Sequence, residues 1–119
     1  MLLKDFLDKD LVDIRPEPAK DWHDALQQAA GKLIEHQYIL PGYVDEIIGN
    51  VEKNGPYIVI VPGVAMPHAM AESENVLGTA IGFAKFPAPV VFDPADPEKK
   101  AQLFFTCLLY TSPSPRDSA

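Results

Sequence analysis

Three histidines are the side chains of this sequence best suited to chemistry near neutral pH, because imidazole gains and loses its proton in that range. His68 is distinguished by its neighbours: it follows Met66 and Pro67, and the apolar run Tyr57–Val61 precedes that pair. Pro67 fixes its own backbone angle and keeps Met66 out of the helical region, so a stiff segment presents His68. We therefore take His68 as the candidate reactive residue.

The remaining candidates favour structural roles. His23 and His36 flank the apolar stripe of a predicted helix, where a ring can lie half in the core and half in water. Cys107 is the single cysteine, so it forms no internal disulfide, and we expect a buried small side chain without chemistry. No paired-cysteine metal motif, glycine-rich phosphate loop or Gly-x-Ser-x-Gly elbow occurs, so we expect neither a metal nor another cofactor.

The composition fits one folded domain. The chain has 119 residues, of which 47% are hydrophobic, and a net charge of -7. An acidic surface argues against nucleic acid and anionic membranes as partners, and it leaves room for a basic protein partner. No leader-like segment and no apolar run of about 20 residues occurs, which predicts a soluble, cytoplasmic protein.

The first half of the sequence predicts a strand between helices. Residues 1–9 fit a short helix, and 11–14 alternate like a strand. Asp21 is a good N-cap for an amphipathic helix that extends to about Gln37. Pro41 suits the first turn of a second helix, which Asn54, Gly55 and Pro56 would end.

The second half predicts strands. The run Tyr57–Val61 is typical of a strand buried on both faces inside a sheet, and Pro62 and Gly63 would end it. Residues 77–86 fit a returning strand, 87–97 a proline-rich surface loop, and 100–108 a last strand. Helices alternating with strands predict an α/β fold around a parallel or mixed sheet.

A family resemblance is carried by the segment from Gly55 to Ala69, which reads Gly-Pro-Tyr-Ile-Val-Ile-Val-Pro-Gly-Val-Ala-Met-Pro-His-Ala. This segment resembles the active-histidine region of phosphotransferase-system (PTS) IIA proteins of the fructose/mannitol type, and most of all their ascorbate-specific branch. Residues 21–25 and 41–44 also fit that branch, so the resemblance covers Met1 to about Thr106.

The resemblance implies a fold and a function. The fold is a three-layer α/β sandwich with a mixed sheet and helices on both faces. His68 is then the catalytic residue, which accepts a phosphoryl group from the phosphocarrier HPr and passes it to a cysteine of an EIIB component. The membrane component EIIC is then an indirect partner, since the IIB component phosphorylates the sugar during its import. The expected sugar is L-ascorbate.

One difference from the family concerns charge. Mannitol and fructose members carry an arginine in the helix before the active strand, whereas Asn50 or Glu52 stands at that place here. A phosphate on His68 would then depend on backbone N–H groups of residues 69–71 or on a lysine such as Lys85. The missing arginine favours the ascorbate branch.

Two other functions remain open from the sequence. In a regulatory relative similar to the nitrogen-linked IIA proteins, phosphorylated His68 would control binding to a partner. In a silent α/β interaction module, His68 would only pack. Transfer of phosphate to a sugar-specific IIB distinguishes the first, and a phosphorylation assay distinguishes the second.

The end of the sequence differs in kind from the rest. Residues 110–119 have no apolar period, hold two prolines and resemble translated adapter sequence found at the ends of unrelated gene fragments. We expect a IIA domain at 1–109 that is truncated at its C-terminus, followed by a non-native or disordered tail at 110–119.

Overall fold

A computed structural model describes residues 11–69 and 73–109. In chain order the elements are β1 (Val12–Ile14), α1 (Trp22–Ala29), α2 (Gly31–Glu35), α3 (Pro41–Asn54), β2 (Val59–Val61), β3 (Gly63–Ala65), β4 (Ala80–Val91) and β5 (Lys100–Leu108). The five strands form one sheet in the order β1-β4-β5-β3-β2. The pairs β1–β4 and β3–β5 are parallel, whereas β4–β5 and β2–β3 are antiparallel. The predicted α/β fold with a mixed sheet is confirmed.

The two faces of the sheet differ in burial. On one face Ala84, Phe86 and Phe104 are almost completely buried, and Leu33 of α2 packs closely over Gly82. The opposite face carries half-buried Phe83 and Phe105, whose rings are 4.9 Å apart, together with exposed Lys85 and Ile14. At Gly82, α2 therefore covers the first face of the sheet.

The prediction of one continuous helix over residues 21–37 is wrong, because the structure has two helices there. Asp21 is its N-cap as predicted, because the carboxylate accepts a hydrogen bond from the backbone N–H of Asp24 at 2.8 Å. The chain then forms two helices that meet at Ala30, whose φ of −90° and ψ of −6° lie at the edge of the right-handed helical region. Glycine is a poor helix former, so Gly31 weakens the helix at that point. The break places Leu33 of α2 against the sheet.

The second predicted helix is confirmed as α3. Pro41 stands in its first turn, where its missing N–H costs no hydrogen bond. Gly55 ends it with φ +87°, a left-handed angle that glycine adopts without strain. The N–H of Gly55 donates to the carbonyl of Val51 at 2.8 Å. The cap turns the chain toward β2.

The predicted central strand 57–61 is wrong in position. β2 covers only Val59–Val61 and lies at the edge of the sheet, where Ile60 and Val61 are about half exposed. A β-branched run fits an edge strand and an interior strand equally well, so composition could not separate them. Instead of leaving the sheet after Pro62, the chain reverses at Gly63, with φ +97°, and adds β3.

The predicted loop 87–97 is wrong in its first part. β4 continues through Pro87 and Pro89 to Val91. Its pairing with β5 shifts register between Lys85 and Val90, and prolines are tolerated in strands at such irregularities. The last predicted strand, 100–108, is confirmed as β5.

Some predictions lie outside the described residues. These are the helix at 1–9 and the tail at 110–119. Within residues 11–69 and 73–109, no helix combines the length and apolarity required to cross a bilayer.

The close packing at Gly82 leads to a stability prediction. A Cβ at this position would lie 2.9 Å from Cδ1 and 3.0 Å from Cγ of Leu33. Since the branch point of a buried side chain must move, we expect Gly82→Ala to lower the free energy of unfolding by about 1–3 kcal/mol. Gly31→Ala is the matched control because nothing lies within 4 Å of its added Cβ, and we expect no loss or a gain of up to about 1 kcal/mol. Equal effects of the two substitutions in urea denaturation would contradict the packing.

The thiol of Cys107 leads to a reactivity prediction. Cys107 is half-buried on β5, and burial raises its pKa above the ordinary value because the thiolate is poorly solvated. At pH 8 the folded chain thus holds less thiolate than the unfolded chain. We expect iodoacetamide to alkylate Cys107 several-fold more slowly in the native chain than in urea, as followed by mass spectrometry. Equal rates would show that the thiol is not shielded.

Candidate functional site

The chain reaches His68 from a short interior strand. β3 pairs with β5 on one side and with β2 on the other, and Ala65 at its end is fully buried. The N–H of Met66 then donates to the carbonyl of Ile58 at 2.8 Å, and Pro67 is buried. His68 therefore follows a strand end that hydrogen bonds and packing hold in place, as the sequence predicted for its stiff mounting.

The imidazole of His68 has a defined proton arrangement. Its Nδ1 lies 2.6 Å from the carbonyl oxygen of Met66. A carbonyl can only accept a hydrogen bond, so Nδ1 carries the proton and the lone pair of the neutral ring is on Nε2. The ring also meets Tyr57 edge-on, with centroids 5.0 Å apart and planes at 86°. The half-buried ring is thus oriented with Nε2 as its nucleophilic atom.

Two tyrosines bond the backbone at His68. The hydroxyl of Tyr57 donates to the carbonyl of His68, and the N–H of Ala69 donates to the hydroxyl of Tyr43 at 3.2 Å. The pKa of each phenol is raised above its usual value, chiefly because burial disfavours the phenolate. A hydrogen bond from Asn50 lowers the pKa of Tyr57 in part. Both phenols therefore remain protonated at neutral pH.

A carboxylate holds the segment beyond His68. Glu46 of α3 accepts hydrogen bonds from the hydroxyl of Ser73, at 2.6 Å, and from the side-chain amide of Asn75. The N–H of Leu40 in turn donates to the carbonyl of Asn75 at 2.8 Å. α3 thus fixes residues 73–75 as well as the backbone at Ala69.

The other histidines lie apart from His68. His23 stacks on Trp22, and its Nε2 lies 2.9 Å from a carboxylate oxygen of Glu52. His36 is the exposed cap residue of α2. Neither ring is hydrogen-bonded to His68 or stacked on it, which agrees with the structural roles expected of them.

The groups expected around a phosphate are only partly brought together. Asn50 contacts Tyr57 beside His68, whereas Glu52 pairs with His23. Lys85 on β4 pairs with Leu103 of β5, and β5 lies between β4 and β3. Lys85 is therefore two strand spacings, roughly 10 Å, from the strand that leads to His68. The prediction that Lys85 serves the site is therefore not supported by its position.

Sequence reasoning missed the two tyrosines as site residues. In the sequence, Tyr43 falls within the predicted second helix, and Tyr57 is the first residue of the apolar run before His68. A signal was present in the helix, because Tyr43 and Asn50 are seven residues apart and so lie on the same side of α3. Nothing in the sequence shows that this side faces His68.

A depression of about 330 Å³ in the described part of the chain does not include His68. It is lined by charged residues of both signs together with Gln28 and Gly31, namely Asp13, Arg15, Gln28, Gly31, Lys32 and Glu35. In the described part of the chain, no three histidine, cysteine or acidic side chains gather as metal ligands. The candidate site is thus the half-buried imidazole of His68 on a rigid backbone.

Comparison with known proteins gives the family. Residues 5–114 match the model for the phosphoenolpyruvate-dependent sugar phosphotransferase system, EIIA 2. The mannitol-specific cryptic phosphotransferase enzyme IIA component of Escherichia coli K12 is 36% identical over 72 residues, which are 60% of this chain and 48% of that protein. The ascorbate-specific EIIA component of Shigella boydii serotype 4 is 35% identical over 78 residues, or 66% and 50%. The chain thus spans about half the length of these curated relatives.

Solved structures agree in fold. A crystal structure from Streptococcus pyogenes M1 GAS, assigned as a PTS IIA domain, has a TM-score of 0.76 and 33% identity, and the match covers 100% of this chain and 75% of that one. The mannitol IIA of Escherichia coli, solved in complex with phosphorylated IIB, has a TM-score of 0.71 at 20% identity over 85% of this chain and 68% of that one. The match over residues 5–114 and the coverage of the streptococcal domain lead to one conclusion: the chain belongs to the EIIA 2 family of the sugar phosphotransferase system.

Proposed function

We propose that His68 accepts a phosphoryl group on Nε2 from a phosphohistidine of the carrier HPr and passes it to a cysteine of a IIB component. The observation that carries the proposal is the hydrogen bond from Nδ1 of His68 to the carbonyl of Met66, which leaves the lone pair on Nε2. Phosphoryl transfer requires chiefly positioning and stabilisation of charge. The rigidly held, half-buried imidazole of His68 provides the positioning.

The transfer balances without a separate proton acceptor. Nε2 of neutral His68 attacks phosphorus, and the P–N bond of the donor phosphohistidine breaks with its electron pair going to the donor nitrogen. If the donor ring enters with a proton on its other nitrogen, it leaves neutral. His68 then holds phosphorus on Nε2 and the proton on Nδ1, and the carbonyl of Met66 stabilises the resulting positive ring.

The charge of the phosphoryl group requires hydrogen-bond donors. The N–H of Ala69, one of the donors expected from the sequence, is already bonded to the oxygen of Tyr43. This N–H is therefore not free to bind a phosphoryl oxygen while that bond is formed. We infer that neutral hydrogen-bond donors stabilise the phosphoryl group in place of a charged side chain.

The later steps are part of the same proposal. The complex of mannitol IIA with IIB among the fold neighbours supports IIB as the acceptor partner. From IIB the phosphoryl group would reach a sugar during import through EIIC. The cytoplasm is the compartment we propose, since a lone thiol such as Cys107 stays reduced there.

A labelling experiment tests the reactive residue. In a mixture with phosphoenolpyruvate, enzyme I and HPr, the wild-type chain should take up an acid-labile phosphoryl group, and His68→Ala should reduce the label to background. His23→Ala and His36→Ala are matched controls and should keep the label, because both histidines lie apart from His68. Undiminished labelling of a folded His68→Ala variant would refute the assignment.

A second experiment tests the acceptor. We expect transfer to the cysteine of an ascorbate-type IIB to be faster than transfer to a mannitol-type IIB. The basis is the segment 62–67 and the uncharged Asn50 beside Tyr57. Rates of label transfer to the two purified IIB proteins provide the measurement, with Cys107→Ala as a control that should transfer normally. Equal or faster transfer to the mannitol-type protein would overturn the preference.

A further inference from the structure

We propose that Tyr57 and Tyr43 are positioning residues that hold the single peptide between His68 and Ala69 from opposite edges, and we call this pair the phenol clamp. The carbonyl of His68 accepts from Tyr57, and the N–H of Ala69 donates to Tyr43 at 3.2 Å. The peptide is trans, so its C=O and N–H point in opposite directions. One phenol therefore lies on each side of it.

The two phenols come from different elements. Tyr43 belongs to the first turns of α3, whereas Tyr57 follows the end of that helix and precedes β2. Asn50, two helical turns after Tyr43, contacts the hydroxyl of Tyr57. The helix thus supports both members of the clamp, one through its own tyrosine and the other through an amide.

The clamp acts on the imidazole through the backbone. Rotation of the 68–69 peptide would change the position of the His68 side chain relative to the carbonyl of Met66, 2.6 Å from Nδ1. That bond selects the tautomer with the lone pair on Nε2. Tyr57 also contacts the His68 ring edge-on, so loss of its hydroxyl leaves the ring contact in place and isolates the hydrogen bond. The role of the clamp in transfer rests on the function proposed above.

The test uses Tyr57→Phe, Tyr43→Phe and the double variant. Tyr38→Phe is the matched control, because Tyr38 packs over Gly78, away from the 68–69 peptide. Long-range ¹H–¹⁵N spectra of the free chain report which nitrogen of His68 is protonated. Single-turnover phosphorylation by phospho-HPr, over a range of donor concentrations, separates the rate constant at saturation from the apparent KM.

We expect each clamp variant to lose part of the Nδ1–H tautomer and to lower the saturating rate constant about tenfold or more, with little change in KM. In the double variant, the saturating rate constant should fall by less than the product of the two single-variant factors, since both phenols hold the same peptide. Tyr38→Phe should match the wild type in both measurements.

A folded Tyr57→Phe or Tyr43→Phe variant that keeps both the wild-type tautomer and the wild-type rate constant would overturn the proposal. The tautomer is measured without a phosphodonor, so it tests the clamp even if no form of the chain takes up phosphate. In that case the proposed function fails, while a tautomer shift in the Phe variants still supports the clamp.

Discussion

The antiparallel pairing of β4 with β5 is the interaction on which the remaining sheet depends. It is the longest ladder of the sheet, and every other strand reaches the core through one of its members: β1 through β4, and β3 with β2 through β5. Phe86 and Phe104, which pack edge to face across it, are fully buried. The strand that leads to His68 has only three residues, so its position is set by β5 rather than by its own length.

The site combines a fixed backbone with one nucleophilic atom. Strand pairing holds the chain before His68, and Glu46 holds residues 73–75 after it. Between them, hydrogen bonds reach the carbonyl of Met66 and both polar groups of the 68–69 peptide. For the proposed phosphoryl transfer, such an arrangement would lower the entropy that is lost when the two reacting groups align.

Local signals predicted the parts of the fold that local chemistry determines. Asp21 caps α1, and Pro41 and Gly55 bound α3, because the backbone angles and hydrogen bonds at helix ends involve near neighbours. The choice of His68 as the candidate reactive residue rests on one stiff segment and on a family resemblance. The order of strands could not be predicted in the same way, because an edge strand such as β2 has the same β-branched composition as an interior one. The tyrosines around His68 were missed for a related reason, since their contacts join residues that are distant in sequence.

The edge position of β2 has a consequence for behaviour in concentrated solution. Within residues 11–69 and 73–109, no strand pairs with the outer side of β2, where Ile60 and Val61 are exposed. Such an edge offers backbone groups to another chain, which is the usual start of edge-to-edge aggregation. Here the edge is only three residues long, its pairing with β3 is irregular between Val59 and Val61, and Pro62, which has no N–H to donate, follows it directly. A second chain could therefore form only a few hydrogen bonds along β2, and the apolar side chains remain available for brief contacts without a lasting strand exchange.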